Sequence, residues 1–409
     1  MSHPQDLRII IVGGGLAGLM MGIMLDKVGI EYHILEQASR LRPLGTSISL
    51  HPVIMDLMDQ LGLLEDMTKM SKPLRGITVL SAHGRKMGRI DARSNKRRPD
   101  LHEFLLAKIP AHKLTTGKRV IDITETASNV TVTCMDETTY TGHLVIGADG
   151  AYSAIRQIMY QKLTERGVLP EADKKPLHFD KQCVVGMTCP LDPRKYPVLQ
   201  DESCEVKVVL GKDQHTSMWI LPLQGNRMAW CVGGPDPHLI PQDDGDHTSQ
   251  GSRGSRGRDW YPETAVEICE DVRSFKCPYG GSVMDLIEAT PKGLVSKIVP
   301  FFGQGASQAI LDCACLVNML FDLRTTETAD LTNIFQKYVE LRSEPAKVAS
   351  DSSREFADLI YDQGFKADLA RNIVLRFTPT WLLRMITGTV NSSRPSLKFM
   401  PPAKNNYLK

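Results

Sequence analysis

A short run of β-branched residues, Arg8-Ile9-Ile10-Ile11-Val12, ends on glycine and gives way to a Leu-, Met- and Ala-rich stretch from Leu16 to Val28. The first has the texture of a strand buried on both faces of a parallel sheet, and the second reads as a helix stopped near Gly29. Glu31 to Leu35 is the next short strand. Apolar residues at Ile54, Leu57, Met58, Leu61 and Leu64 recur at helical spacing and predict one helix from His51 to Met67. Gly76 to Ile90 predicts a hairpin turning at His83-Gly84. Pro99 suits the first turn of a helix running to Lys108. Strands are expected at Arg119–Thr126, Val130–Met135 and Leu144–Ile146.

From about Asp180 to Gly233 the pattern changes to strand-like runs separated by turn signals: Cys183–Thr188, Cys204–Leu210, Ser217–Leu221 and Met228–Val232. These predict an antiparallel sheet, a suitable wall for a substrate cavity. Met187, Trp219 and Trp230 are candidates to face that cavity, with core packing as the alternative role. Asp243 to Arg258, with Gly-Ser-Arg repeats, reads as an exposed low-complexity loop. From Gly305 onward the chain is mainly helical, and Asn391 to Lys409 is a polar, proline-containing tail. The expected fold class is α/β: a Rossmann-like nucleotide-binding domain, an interleaved antiparallel-sheet substrate domain and a helical C-terminal part. The boundaries run 1–180 for the first part of the nucleotide-binding domain, with an inserted hairpin at 76–91, and 181–290 for the sheet domain. Residues 291–360 would return to the nucleotide-binding domain, leaving 361–409 as helical segment and tail.

The chain has 409 residues, long enough for two packed lobes. Lys and Arg number 49 against 47 Asp and Glu, which gives no electrostatic reason to expect nucleic acid or an acidic membrane as partner. The 9 cysteines are scattered without a C-x-x-C pair, the usage of a reducing compartment. The apolar run from Ile9 to Leu25 is broken by Gly13, Gly14, Gly15, Gly18 and Gly22, so it is expected to be neither a secretory signal nor a membrane span. A cytoplasmic protein without transmembrane segment is expected. Nothing in the sequence sets the oligomeric state.

Gly13-x-Gly15-x-x-Gly18 stands directly after the first strand and opens the first helix. Gly13 permits the tight turn, Gly15 lets backbone amides approach a diphosphate, and Gly18 lets helix and strand pack closely. Leu16 and Ala17 lie in the first turn of that helix, whose positive end faces the phosphates. Glu36 ends the next strand 18 residues beyond Gly18, where an acid accepts a ribose hydroxyl. Together they predict a dinucleotide site.

A second signal narrows the dinucleotide. Leu144-Val145-Ile146 runs into Gly147-Ala148-Asp149-Gly150, with Ser153 and Arg156 following at one-turn spacing. The pattern G-A-D-G-x-x-S-x-x-R resembles that of the class A flavoprotein monooxygenases, the group of para-hydroxybenzoate and salicylate hydroxylases and of fungal meroterpenoid epoxidases. The resemblance runs from Arg8 to about Leu359. It implies FAD as cofactor and NAD(P)H as co-substrate, with Asp149 near the FAD diphosphate and Gly150 keeping that turn tight. Pro300-Phe301-Phe302-Gly303-Gln304-Gly305-Ala306 resembles the family's P-x-x-G-Q-G segment. Its implied duty is to set Pro300 over the isoalloxazine and to bring Gly303, Gln304, Gly305 and the Ala306 backbone against the ring. Arg98, before a helix, resembles the family's arginine that reaches FAD, with Arg97 as an alternative register. Gly45 and Ser49 fall in the stretch that resembles the glycine-rich approach to the ring, Ser49 standing where glycine is common. Gln37 stands where many relatives carry arginine.

One family signature is missing: a strand ending in G-D, whose acid binds the ribityl chain, just upstream of the P-x-x-G-Q-G segment. Before Pro300 stands Lys292-Gly293-Leu294-Val295-Ser296-Lys297-Ile298-Val299, with no acid. The two ends of a removed piece stand joined, which predicts an incomplete gene model or splice product of a working enzyme. The resemblance implies a flavin-borne reaction in which NAD(P)H reduces FAD, O2 forms a C4a-hydroperoxide, and one oxygen atom passes to a small apolar, aromatic or terpenoid-like substrate. That chemistry needs no Ser-His-Asp triad or metal; no catalytic side chain and no metal site is assigned, and the 11 histidines are dispersed. Fungal secondary metabolism is the implied setting. The alternative is a non-catalytic paralogue or truncated product with impaired FAD binding.

Overall fold

The computed structural model describes residues 7–41, 48–49, 52–91, 96–98, 101–174, 181–211, 216–235, 269–270, 272–298, 304–361 and 396–404. Gly45, Pro99, the 243–258 loop, Pro300, Gly303 and most of 361–409 lie outside them.

The chain opens β1 (Arg8–Val12), α1 (Leu16–Val28) and β2 (Glu31–Glu36), as the pattern predicts. Gly29 ends α1 in the left-handed region, φ 77°, and its N–H bonds back to the last turn. Next come β3 (Ile48–Ser49), α2 (Pro52–Gln60) and α3 (Leu64–Lys69). The single helix expected from His51 to Met67 is therefore two. Gly62 adopts φ 72° between them, a conformation a right-handed helix cannot contain. The apolar spacing survives the break because Ile54, Leu57, Met58, Leu61 and Leu64 all remain buried in one core.

β4 (Lys72–Leu80) and β5 (Lys86–Asp91) form the expected hairpin, longer at its start, with Gly84 at φ 78° in the turn. β6 (Lys96–Arg98) and α4 (Leu101–Leu106) precede three strands, β7 (Leu114–Thr116), β8 (Val120–Glu125) and β9 (Val130–Cys134). β10 (Thr139–Gly142) and β11 (Leu144–Gly147) lead to α5 (Ala154–Glu165). The remainder is β12 (Lys181–Met187), β13 (Cys204–Leu210), β14 (Ser217–Pro222), β15 (Met228–Pro235), α6 (Val283–Glu288), β16 (Val295–Ile298), α7 (Gln304–Asp322) and α8 (Thr328–Tyr361).

Two main sheets organise these elements. The first is wholly parallel, in the order β11-β1-β2-β7. α1 and α7 pack together on it, and Ile9, Ile11, Leu19, Met20, Met24, Ile310, Ala314 and Val317 share its core. The second sheet has nine strands, β16-β12-β15-β14-β13-β4-β6-β3 with β5 beside β4. It is antiparallel except where β4 lies parallel to β13. A third, three-stranded sheet, β10-β9-β8, packs Val120, Val130 and Val132 under Ile10 and Val12.

Met187 and Trp230 are buried, 2% and 1% exposed, so core packing is the role they take. Trp230 packs against its neighbour Gly186 on the adjacent strand β12. A Cβ at Gly186 would meet its ring at 2.3 Å, and its indole N–H donates to Thr290 at 2.8 Å. Trp219 stays half-buried, its N–H on Ser217.

β11 is an edge. Among the described residues no strand pairs with its outer side, and Val145 and Ile146 are only half-buried. β16 forms the far edge of the large sheet, against β12. Five residues, 299–303, separate Ile298 from α7 and lie outside the described ones.

Candidate functional site

The site grows from the carboxyl ends of β1 and β2. Val12 is followed by Gly13 at φ 113°, a value side chains other than hydrogen strain to adopt. A Cβ on Gly13 would also stand 2.4 Å from the Ala148 carbonyl oxygen and 2.9 Å from the Asp149 Cα. Close approach to the β11 turn, not only turn geometry, therefore demands glycine here. Gly18 is required for a second reason: its Cβ would fall 2.0 Å from the Gly13 oxygen, locking α1 onto the turn. Gly15 faces open space, with nothing within 4 Å of where a Cβ would stand.

Glu36 sits beside this turn, not far from it. Its Oε2 accepts the Gly14 N–H at 2.7 Å, and its Oε1 accepts the Ala38 N–H at 2.7 Å. Each oxygen keeps a second lone pair for a ligand hydroxyl. The Gly14 carbonyl is held by His102 of α4, whose Nε2 lies 2.8 Å away and must be the donor. His102 carries no motif, so sequence reasoning missed it. Its only signal is its place one residue into the helix after Arg98.

On the other flank, Gly150 turns at φ 86° and Ser153 caps α5, accepting the Arg156 N–H at 3.0 Å. Asp149 Oδ2 accepts the N–H groups of Ala154 and Ile155 at 2.7 and 3.2 Å. Its Oδ1 is buried with no hydrogen-bond partner. An orphaned carboxylate oxygen beside an open glycine turn is the acceptor a bound group or its water would satisfy. The turn, Glu36, Asp149 and Gly150 thus meet in one place, and they fit an adenosine diphosphate moiety.

The other candidates divide. Leu16 and Ala17 open α1, and the Ala17 carbonyl lies 3.3 Å from the Cys313 sulfur of α7. Gln304 begins α7; Gly305 is exposed with open space before it and Ala306 is half-buried. Ser49 in β3 pairs with Arg97 of β6, and Arg98 pairs with Ile48. Gly45, Pro300 and Gly303 fall outside the described residues.

Beyond Glu36 the surface opens into a cleft of about 560 Å³, lined by Gln37, Ala38, Gly117, Arg119, Met135 and Asp136. Hydrogen bonds from the Gly117 N–H to the Ala38 oxygen, 2.9 Å, and from the Lys118 N–H to the Glu36 oxygen, 2.8 Å, hold its floor. Asp136 is held down to about 2 by hydrogen bonds from Lys118 and Thr138. No motif marks this cleft.

A parallel sheet with a nucleotide cradle at its switch point and a large sheet beside it define a dinucleotide-binding α/β enzyme. Residues 6–190 match the FAD binding domain family. The FAD-dependent monooxygenase olcE of Penicillium canescens is 27% identical over 396 residues, covering 86% of this chain and 81% of that one. The FAD-dependent monooxygenase ausM of Penicillium brasilianum is 25% identical over 446 residues, covering 98% and 88%. Klebsiella pneumoniae HpxO, solved with FAD and uric acid, has the same fold: TM-score 0.70 at 19% identity, covering 94% of this chain and 96% of that one. The chain is an oxidoreductase similar in sequence to fungal FAD-dependent monooxygenases, and it shares its fold with HpxO. Among the described residues no helix is long and apolar enough to cross a membrane.

Proposed function

We propose that this chain is an NAD(P)H-consuming monooxygenase that places one oxygen atom of O2 on a small aromatic or terpenoid-like molecule. The observation that carries the reading is the convergence of the Gly13–Gly18 turn, Glu36 and the Asp149-Gly150 turn at one point. FAD, when bound, supplies the redox chemistry, taking a hydride equivalent from NAD(P)H and activating O2. The chain's own residues do the rest. Amides at Gly13 to Gly15 and the α1 dipole hold the diphosphate, and Glu36 accepts the ribose hydroxyls. Asp149 and Gly150 flank the diphosphate. Gly45, Ser49, Arg98, Pro300, Gly303, Gln304, Gly305 and Ala306 are assigned to the ring half by family resemblance. The large sheet, with half-buried Trp219, walls the substrate side and keeps water out. All nine cysteines are free, which suits a reducing compartment such as the cytoplasm.

The test is direct. Purified protein carries flavin absorbance, and a candidate substrate stimulates NADPH oxidation with O2 uptake. A preparation that neither retains nor takes up FAD overturns the reading.

A second reading has an observation of its own. The ausM alignment runs to 446 positions, more than the 409 residues of this chain, so that relative carries internal residues missing here. The open side of β11 and the five residues between β16 and α7 agree with a strand lost at that junction. Under this reading the product keeps the adenosine side of the site and binds FAD weakly. A transcript reading straight through Lys297–Ile298 in abundant mRNA supports it; a longer transcript restores the first.

A further inference from the structure

The cleft past Glu36 has no assigned occupant, yet its position is set by a carboxylate that faces two ways. Oε2 of Glu36 points to the phosphate turn, accepting from Gly14, while Oε1 points to the cleft, accepting from Ala38, which lines it. A ribose accepted by both oxygens would lie between them; with its diphosphate toward Gly13–Gly15, its base would be directed to the cleft side.

The cleft offers an apolar side chain and a cation at its rim. Met135 is 65% exposed, an apolar side chain presented to water at the rim. The Met135 N–H donates to the Arg119 carbonyl at 2.8 Å, so the two side chains leave adjoining backbone. Among the described residues no ion pair or side-chain hydrogen bond restrains the Arg119 guanidinium. The neighbouring charges are already matched: Lys118 donates to Asp136 at 2.5 Å and to Thr138 at 3.0 Å. That pairing leaves Arg119 as the cation able to stack on a π-face. Gln37 offers an amide at the edge, on the residue next to Glu36.

We infer that Arg119 and Met135 form a clamp for the adenine base of the nucleotide, Arg119 supplying a stacking cation and Met135 an apolar face. The inference rests on the FAD reading above and assigns base recognition to residues outside its motifs. It also gives the chain a cation for the adenosine end that does not depend on position 37, where Gln37 stands.

The test uses the full chain and isothermal titration with ADP, UDP and FAD. The parent binds ADP at least tenfold more tightly than UDP, because a purine offers the larger stacking face. Arg119→Ala and Met135→Ala each weaken ADP and FAD by five- to thirtyfold, to the same extent for both ligands, and compress the preference for ADP over UDP. Arg119→Lys, which keeps charge without the plane, stays closer to Arg119→Ala than to the parent. Both side chains are exposed, so melting temperatures of the unliganded variants match the parent. Variants that bind ADP and FAD within twofold of the parent overturn the clamp while leaving FAD binding standing. A parent that binds neither ADP nor FAD overturns the FAD reading itself, and the clamp with it.

Discussion

Gly13 and Glu36 bear different loads within the same few ångströms. At Gly13 the constraint is steric and conformational together, a positive φ and an Ala148 oxygen where a methyl would sit. Gly13→Ala is expected to destabilise the fold by about 2 kcal/mol or more and to abolish FAD uptake, read by denaturant melts and flavin absorbance. At Glu36 the constraint is chemical. Glu36→Ala removes a charged acceptor and strands the Gly14 and Ala38 N–H groups. FAD affinity should fall by about one to two decades, from ~1.5–3 kcal/mol for a hydrogen bond to a charged group; fluorescence titration giving less than a threefold loss removes Glu36 from the site. The meeting of Glu36 with the Gly13 turn could be anticipated from the spacing of the glycines and the acid one strand later. His102 and Arg119 could not, since a lone histidine or arginine on a helix or strand end carries no pattern until the chain is folded.

At the scale of elements, legibility tracked periodicity. β1, α1 and β13 came out with the expected bounds because their apolar repeats are strong and glycine or a turn closes them. The merged helix over 51–67 failed because Gly62 interrupts hydrogen bonding without interrupting the apolar face. The short strands β7, β10 and β16 escaped notice for the opposite reason: three or four residues hold too little alternation to register. Two contacts allow tests at this scale. Arg342 in α8 is buried, donating to Asp312 at 2.6 Å and Gln308 at 2.7 Å in α7. Arg342→Ala leaves Asp312 uncompensated, and with that carboxylate a third exposed the loss should be near the low end, about 3 kcal/mol in a urea melt. Asp285 closes a capping box with Ser282 and pairs with Lys195 at 2.9 Å. Lys195 above all, then Ser282, holds its carboxyl down to about 2. Because that lies below the unfolded value near ~3.9, the stabilisation is complete above about pH 4 and drains away as pH falls toward 2. Asp285→Asn should therefore melt below the parent at pH 7, with the gap closing near pH 2; a gap that persists there refutes the linkage.

For the whole molecule, the α/β class and the antiparallel character of the second sheet were readable from the chain. Less readable was that the 76–91 hairpin is stitched into the large sheet through a parallel pairing of β4 with β13, a contact between residues some 130 apart. Periodicity cannot report such a pairing, because it belongs to topology. The absence of a G-D motif before Pro300, by contrast, could be read from the motif order; among the described residues no strand pairs with the outer side of β11. If a longer transcript carries a piece between Lys297 and Ile298, reinstating it should raise the urea midpoint and FAD affinity together, since under the second reading one strand would close both the sheet edge and the site.

The five residues joining β16 to α7 also act as a leash. Fully extended, the passage from Ile298 to Gln304 reaches at most about 20 Å. The outermost strand of the large sheet is thus coupled to the first turn of the helix assigned to the ring half of the cofactor. Whatever separates the substrate wall from the nucleotide fold, the covalent chain limits how far Ile298 and Gln304 can part to that span.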